Sequence, residues 1–211
     1  MSVFLLSPAH CGGRRARIVV SERATFDLAL RLRDRQGAPL GDVFAFLSGL
    51  YFRGKLAYAR RFASVPEHAG SVAGTGVFVI TPSAGLRSPD TLVTLDAINA
   101  FARVDVCADN PAYRRPLERS AKAVAADIGP ECPVVLLGSI ASPKYVDVLH
   151  AIFGERLLFP QEFVGRGDMS RGGLMLRCAA AGQELTYIPV AGAVRHGVRP
   201  PKLDPATRVK P

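Results

Sequence analysis

The sequence predicts an α/β fold of three layers, in which helices flank a mainly parallel sheet. Helical patterns alternate with short apolar runs along the chain, and this alternation requires crossover connections, which make neighbouring strands parallel. The runs carry little polar alternation, as is typical of strands covered on both faces. Five runs are predicted as strands: VFLL at 3–6, GVFVI at 76–80, PVVLLG at 133–138, RLLF at 156–159 and LTYIPV at 185–190.

Three longer segments show the periodicity of helices. The longest extends from Asp42 to Phe62, and Gly54 is the expected point of a break into two helices. A second helix is predicted to begin near Pro116, because a proline farther inside a helix would remove a backbone hydrogen bond. A third helix is predicted from Pro143, with Ser142 as its N-cap.

Length and composition predict one folded domain followed by a tail. The chain of 211 residues contains 48% hydrophobic and 21% charged residues, which is sufficient for a single core. We expect the α/β domain to occupy residues 1–194. From residue 195 the chain is rich in proline and basic residues, so 195–211 is predicted to be an extended tail that contributes little to the core.

The chain is strongly basic. It contains 27 Lys and Arg residues against 18 Asp and Glu residues, which gives a formal net charge of +9 and favours an anionic partner. The alternative is a soluble protein with a cationic surface and no such partner. Because the basic residues are spread along the chain and no apolar run approaches about 20 residues, no membrane interaction is predicted. The sequence indicates no obligate protein partner.

Cysteine and histidine spacing predicts neither a metal site nor another cofactor. The four cysteines lie far apart without a CxxC pair, and the four histidines form no HxxxH motif. The first residues, MSVFLLSPAHCGG, lack the basic region and the long apolar run of a secretory signal. We therefore expect reduced thiols and a cytoplasmic location.

Candidate site residues follow the predicted strands. In open α/β sheets, ligands bind beyond the carboxyl ends of the strands. Glycines there permit close backbone approach, arginines offer paired donors to phosphate, and helix N-termini favour anions. The predicted phosphate-binding or nucleic-acid-binding residues are Ser7, Gly12, Gly13, Arg14, Arg15, Ser83, Gly85, Ser139, Lys144, Arg166, Ser170 and Arg171. Tight turns with solvated arginines are the alternative interpretation, since neither GxxxxGK[ST] nor GxGxxG is present.

Asp168 and His10 are the candidate catalytic residues. Asp168 lies between two arginines in the sequence, so it is expected to stay ionised and able to orient a water molecule or stabilise a developing cation. In the alternative interpretation, Asp168 or Ser170 caps the helix that follows. Cys11, next to His10 and close to arginines, is a further candidate nucleophile if its pKa is lowered. No GxSxG elbow is present.

Three segments resemble one known family. FLLSPAHCGGRRA, TPSAGLRSPDTLVTLD and GRGDMSRGGLMLR are similar, in the same order, to motifs of the YaaA-type peroxide-stress proteins and their relatives. The resemblance implies a domain of uracil-DNA-glycosylase type, DNA binding and protection from oxidative damage. The positions that it implicates are Ser7, Pro8, Gly85, Arg166, Gly167, Met169, Ser170 and Arg171. The GQDPYH-like and HPS-like motifs of uracil-DNA glycosylases themselves are missing from the chain.

These observations lead to three hypotheses about function. The first is a DNA-acting protein that removes a modified or damaged base by cleaving its N-glycosidic bond, with Asp168 stabilising the sugar cation or orienting the water. The second is a non-catalytic DNA-binding protein of the oxidative-stress response. The third is an enzyme acting on a nucleotide or a phosphorylated small molecule, in which Gly12 and Gly13 hold a phosphate.

Overall fold

The structure, a computed structural model, describes residues 1–141, 143–194, 197–201 and 203. Within these residues the strands are β1 (Val3–Leu6), β2 (Ala38–Pro39), β3 (Val77–Thr81), β4 (Gly85–Arg87), β5 (Leu92–Val93), β6 (Val134–Leu137), β7 (Leu157–Pro160) and β8 (Tyr187–Pro189). The helices are α1 (Arg14–Val20), α2 (Asp27–Arg33), α3 (Leu40–Ser48), α4 (Leu50–Phe62), α5 (Leu95–Ala102), α6 (Pro111–Ile128), α7 (Pro143–Phe153) and α8 (Asp168–Ala181). Short 3-10 turns precede and follow β7, at Gly154–Arg156 and Gln161–Phe163.

Six of the strands form one mixed sheet, in the order β4-β3-β1-β6-β7-β8. The four inner strands are parallel, and the two edge strands, β4 and β8, are antiparallel to their neighbours. β1 lies near the centre, where Phe4 is in register with Val77 on one side and Val135 on the other. The α/β class and the mainly parallel sheet are confirmed. All five predicted strands are present, although the last of them, β8, runs antiparallel at the edge.

The two faces of the sheet are covered by different helices. Phe4 and Leu6 of β1 belong to a cluster that includes buried residues of α1 to α5 and α8. Val3 and Leu5 point to the opposite face, into a cluster with α6 and α7. All four residues of β1 are fully buried, which explains why the strand reads as a continuous apolar run. Covering both faces leaves the strand ends as the places where polar groups can meet a ligand.

The predicted helix from Asp42 to Phe62 is divided at Gly49 and not at Gly54. Gly49 has a φ of +60°, a conformation that favours glycine, and it separates α3 from α4. Gly54 lies inside α4 and faces Gly172 of α8. A Cβ atom at position 54 would lie 2.5 Å from the Gly172 carbonyl oxygen. The two glycines therefore allow α4 and α8 to cross in backbone contact.

The predicted start of the next long helix near Pro116 is also wrong. α6 begins at Pro111 and continues through Pro116 to Ile128, and the Asn110 side chain caps it by accepting from the Ala112 amide at 3.1 Å. Tyr113 and Leu117, on either side of the proline, are fully buried. Their burial in the core offsets the hydrogen bond that Pro116 cannot donate.

The last residues of the chain are described only in part. Arg195, His196, Lys202 and residues 204–211 lie outside the described residues, and so does the predicted N-cap Ser142, although α7 begins at Pro143 as predicted. Residues 197–201 and 203 form neither helix nor strand, and none of them is buried. The division into a domain over 1–194 and a tail over 195–211 stays a prediction. The tail backbone nevertheless passes close to Gly165, beside the start of α8.

The α4–α8 crossing can be tested by comparing two alanine substitutions. Gly54→Ala is expected to lower the free energy of unfolding by about 1–3 kcal/mol, because the new methyl group overlaps the backbone of Gly172. Gly173→Ala is the matched control, since its nearest contact outside α8 would be the Leu203 side chain at 3.6 Å. The control should be neutral or stabilising by up to about 1 kcal/mol, because alanine favours helices more than glycine. Urea denaturation of both variants measures the difference; equal stability would contradict the close crossing.

Candidate active site

Ser7 lies at the carboxyl end of β1, where the strand opens into a cavity. Its amide donates to the Leu137 carbonyl at 3.2 Å, which continues the pairing of β1 with β6 for one more residue. The cavity, called here the Ser7 cavity, has a volume of about 340 Å³. Its lining residues come from the ends of β1 and β6 and from the helices beside them: Ser7, Pro8, Ala9, His10, Ser48, Tyr51, Val106, Ser139, Lys144, Tyr145 and Asp168.

Lys55 of α4 lies directly behind Ser7 and is fully buried. Its Nζ atom donates to the Ser7 carbonyl at 2.6 Å and lies 2.9 Å from the Ser7 hydroxyl. The rings of Tyr51 and Phe52, one helical turn away, have their centroids 4.5 and 4.8 Å from the same Nζ. None of the ion pairs found among the described residues involves Lys55. The amine is thus surrounded by aromatic rings and Ser7 oxygens.

This environment favours the neutral amine. Burial lowers the pKa of Lys55 from 10.5 to about 7, and the negative charge of Asp168 opposes the change only in part. Near neutral pH a large fraction of Lys55 is therefore unprotonated. A neutral amine 2.9 Å from a serine hydroxyl can accept its proton, which is the first requirement for a serine nucleophile.

Tyr145 of α7 lies against Ser7, next to the end of β6. The Ser139 amide donates to the Tyr145 hydroxyl at 3.2 Å. Burial raises the pKa of Tyr145, and hydrogen bonds with Ser7 and Ser139 act in the opposite direction. Gly138 permits this arrangement, because a Cβ atom there would lie 2.9 Å from the Ser7 Cβ and 3.2 Å from the Tyr145 hydroxyl. The Ser7 hydroxyl thus lies between an amine and a phenol.

Asp168 is the residue of α8 that lines the cavity, and Arg171 lies beside it. Arg171 Nη1 lies 3.7 Å from Asp168 Oδ1, and the arginine also donates to the Phe163 carbonyl at 2.9 and 3.1 Å. Arg171 is mostly buried, whereas Asp168 is largely exposed. The prediction that Asp168 or Ser170 caps α8 is wrong, because Gly167 occupies the N-cap position and has no side chain. Asp168 is the first residue of the helix and remains available at the cavity wall.

His10 and Lys144 lie on the boundary between the Ser7 cavity and a second cavity of about 410 Å³. Gly12 and Cys11 line that second cavity. The Cys11 side chain is buried, and burial raises its pKa to about 12. Activation of Cys11 through a lowered pKa is therefore wrong, because the thiol belongs to the apolar cluster on one face of the sheet and not to a cationic surface.

The remaining predicted site residues lie elsewhere. Gly13 is the N-cap residue of α1, packed beside the His10 ring, and Arg15 donates to the Phe46 carbonyl at 3.2 Å. Arg14 lines an open groove of about 780 Å³ between α1 and α2, called here the arginine groove; its lining residues are Arg14, Arg17, Ile18, Ser21, Arg23, Ala24, Thr25 and Phe26. Arg166 donates to Ser170 at 3.2 Å, and both residues line a further cavity of about 320 Å³.

Two residues of the loop after β3 also lie outside the Ser7 cavity. Ser83 is half-buried in the turn between β3 and β4. Gly85 begins β4 with a φ of +72°, and a Cβ atom at this position would overlap the Pro116 carbonyl and the Ser120 hydroxyl. Gly85 therefore serves the close packing of β4 against α6. Of the predicted residues, the Ser7 cavity brings together five: Ser7, His10, Ser139, Lys144 and Asp168.

Lys55 and Tyr51 were not predicted as site residues. Both lie on the buried face of α4, together with Tyr58. The available signal was a lysine on an otherwise apolar helix face, four residues after one tyrosine and three before another. Its partner, Ser7, is 48 residues away in the sequence.

Comparison with known proteins identifies no relative of this chain. No family model, no curated protein and no solved structure matches the chain. In the described part of the chain, His, Cys, Asp and Glu side chains form no group of three or more that could hold a metal ion. Each helix in that part is too short or too polar to cross a membrane.

The buried amine predicts a specific dependence of stability on pH. Because folding lowers the pKa of Lys55 from 10.5 to about 7, the unfolded state binds more protons between these values. The resulting penalty on folding is complete below pH 7, on the order of 5 kcal/mol, and disappears as the pH rises towards 10.5. Lys55→Met removes this penalty, so its stability relative to wild type should decrease steadily from pH 7 to pH 10.

Urea denaturation of both proteins across this range measures the effect. Groups other than Lys55 titrate alike in the two proteins, so their contributions cancel in the difference. A difference in the free energy of unfolding that stays constant with pH would mean that Lys55 keeps its ordinary pKa.

Proposed function

We propose that the protein is a hydrolase or acyl transferase in which Ser7 is the nucleophile and Lys55 is its general base. The observation that carries the proposal is the 2.9 Å contact between the Lys55 amine and the Ser7 hydroxyl, made by a lysine that is fully buried. Ser7 lines the cavity and Lys55 lies behind it, so a substrate meets the hydroxyl while the amine beside that hydroxyl stays buried. Serine–lysine pairs are an established variant of the catalytic triad.

The proposed reaction has two steps, acylation of Ser7 and hydrolysis of the acyl-serine. Ser7 Oγ attacks the carbonyl carbon of an ester, and its proton passes to the neutral Lys55 amine. The bond to the leaving alcohol then breaks, and the alcohol takes the proton that Lys55 holds. In the second step a water molecule adds to the acyl-serine, releases the carboxylic acid and restores Ser7 with its proton. Lys55 ends each step unprotonated.

The surroundings favour a small substrate that carries negative charge. A volume of about 340 Å³ lies within the common range for ligand cavities, about 300–1,000 Å³. Lys144 and His10 are exposed on its boundary, whereas its carboxylate, Asp168, is opposed by Arg171. The excess of nine positive charges on the chain also attracts anions. This agrees in part with the hypothesis of an enzyme acting on a phosphorylated small molecule.

Covalent labelling with a fluorophosphonate tests the proposal without knowledge of the substrate. We expect a single adduct on Ser7, located by mass spectrometry, with a rate that rises as the pH passes through about 7 because Lys55 must be unprotonated. Ser7→Ala should remove the label. Ser48→Ala is the matched control, because Ser48 lines the same cavity but has no lysine partner among the hydrogen bonds described, and it should label normally. An unlabelled, folded wild-type protein would refute the proposal.

A DNA-acting protein is the second candidate, and the arginine groove supports it. Arg14, Arg17 and Arg23 line this open groove, and Phe26 beside them is partly exposed and stacked on Phe46 at 5.2 Å. Cationic grooves with aromatic side chains suit single-stranded nucleic acid. In this proposal the fold is of uracil-DNA-glycosylase type, as the YaaA-like motifs imply, and Asp168 serves removal of a damaged base.

The four free cysteines support a cytoplasmic location.

Salt-dependent DNA binding tests the second candidate. Binding of a fluorescent single-stranded or duplex oligonucleotide should fall steeply with salt, and replacing Arg14 and Arg17 together by alanine should reduce the salt slope by about 2. Lys122→Ala, an exposed change on α6, is the control and should leave the slope unchanged. If the protein releases damaged bases, Asp168→Asn should abolish release while leaving binding nearly intact. Absence of binding at low salt would exclude this candidate.

A further inference from the structure

Tyr51 presents a buried hydroxyl without a partner at the Ser7 cavity. The residue is 7% exposed and lines the cavity, and its hydroxyl oxygen has no hydrogen-bond partner among the described residues. A buried polar group left unpaired costs about 1–3 kcal/mol, and folded proteins keep few of them. Such a group in the wall of a cavity points to a ligand that supplies the missing partner.

Neighbouring tyrosines show that this core can satisfy a phenol. Tyr58, two turns farther along α4, pairs with the Tyr187 hydroxyl at 2.6 Å and accepts from the Leu185 amide at 2.7 Å. Tyr145 receives the Ser139 amide. Tyr113 is a second tyrosine with an unpaired buried hydroxyl, but it lies on the opposite face of the sheet and lines none of the cavities described above. Of these two tyrosines with unpaired hydroxyls, only Tyr51 lines the cavity that contains Ser7.

We infer that Tyr51 is a catalytic residue whose hydroxyl donates a hydrogen bond to the substrate oxygen that becomes negatively charged when Ser7 attacks. This inference rests on the proposed function and adds the group that stabilises the oxyanion, which forms on the carbonyl oxygen of the ester. Tyr51 is placed for this role by α4, since its ring lies 4.5 Å from the Lys55 amine that contacts Ser7. One helix thus holds both the base and the oxyanion donor.

The protonation state of Tyr51 suits a donor. Burial raises the pKa of its hydroxyl, so the proton remains on the oxygen at neutral pH. The positive charge of Arg171 acts in the opposite direction and is the largest charge effect on Tyr51. Hydrogen bonding from Arg171 also lowers the pKa of Tyr51. Because a guanidinium has no acceptor to offer, the O–H proton of the phenol still lacks a partner. A fixed donor beside a mostly buried cation is the arrangement that stabilises an oxyanion.

The four side chains then have separate roles. Lys55 handles the proton, Ser7 forms the covalent bond, and Tyr51 with Arg171 stabilises the charge. Lys55 lies over the ring of Tyr51, 4.5 Å from its centroid, and phenylalanine keeps that ring. Removing the hydroxyl alone should therefore leave the base and its environment in place.

The test compares Tyr51→Phe with Tyr113→Phe. The measured quantity is the second-order rate constant for fluorophosphonate labelling of Ser7, because the phosphoryl oxygen occupies the place of the ester oxyanion. Loss of a single oxyanion donor typically slows an enzyme by about 100-fold or more, and we expect a decrease of this order for Tyr51→Phe. Tyr113→Phe should label at the wild-type rate. Both variants should melt at or above the wild-type temperature, because each removes an unpaired buried hydroxyl.

A second readout separates charge stabilisation from a structural effect. An alkyl boronic acid forms a tetrahedral anion on a serine nucleophile, so it should raise the melting temperature of wild type and of Tyr113→Phe. The rise should be much smaller for Tyr51→Phe.

The outcomes separate this inference from the proposed function. If wild-type Ser7 is labelled and Tyr51→Phe reacts equally fast, the inference fails while Ser7 remains the nucleophile. If wild type is not labelled at all, the proposed function itself fails. If Tyr51→Phe does not fold, the hydroxyl serves the fold and the inference fails as well.

Discussion

The buried Lys55 amine fixes the geometry at the carboxyl ends of the central strands. It joins α4 to the end of β1 through the Ser7 carbonyl and hydroxyl, and so sets how far the helix lies from the strand. α8 follows α4, because Gly54 and Gly172 let the two backbones touch. Because α4 and α8 touch, the position of Lys55 also determines where Asp168 and Arg171 of α8 lie. The cavity is the space that these linked elements enclose.

The same lysine places stability and reactivity in opposition. Desolvation of an amine that has no carboxylate partner destabilises the folded state wherever the amine would otherwise be charged. A methionine would fit a site between Tyr51 and Phe52 without that penalty. The chain instead has a lysine, whose neutral amine can accept a proton from the adjacent Ser7 hydroxyl. Strongly perturbed groups beside a cavity are typical of functional sites, where local stability is exchanged for chemistry.

The sequence predicted the parts of the fold that depend on local pattern. Short apolar runs revealed the strands, because burial on both faces leaves no other pattern, and residues after the strands supplied Ser7, Ser139 and Lys144 for the cavity. The break at Gly49 was missed, since choosing between two glycines requires knowing that Gly54 meets Gly172. Pro116 was misjudged because core burial outweighed one hydrogen bond. Lys55 could not be paired with Ser7, because helix periodicity shows which face of a helix is buried but not which residues that face contacts.

The antiparallel edge strands have a consequence for how the molecule behaves in a crowded solution. β4 and β8 are only three residues long, and β8 ends with Pro189, which has no amide hydrogen to offer an incoming strand. A long parallel edge would be a template for strand addition from another chain. Here both edge strands are too short to offer a long row of pairing groups, and β8 also lacks a donor at Pro189. The architecture thereby protects a strongly apolar set of central strands from ordered self-association.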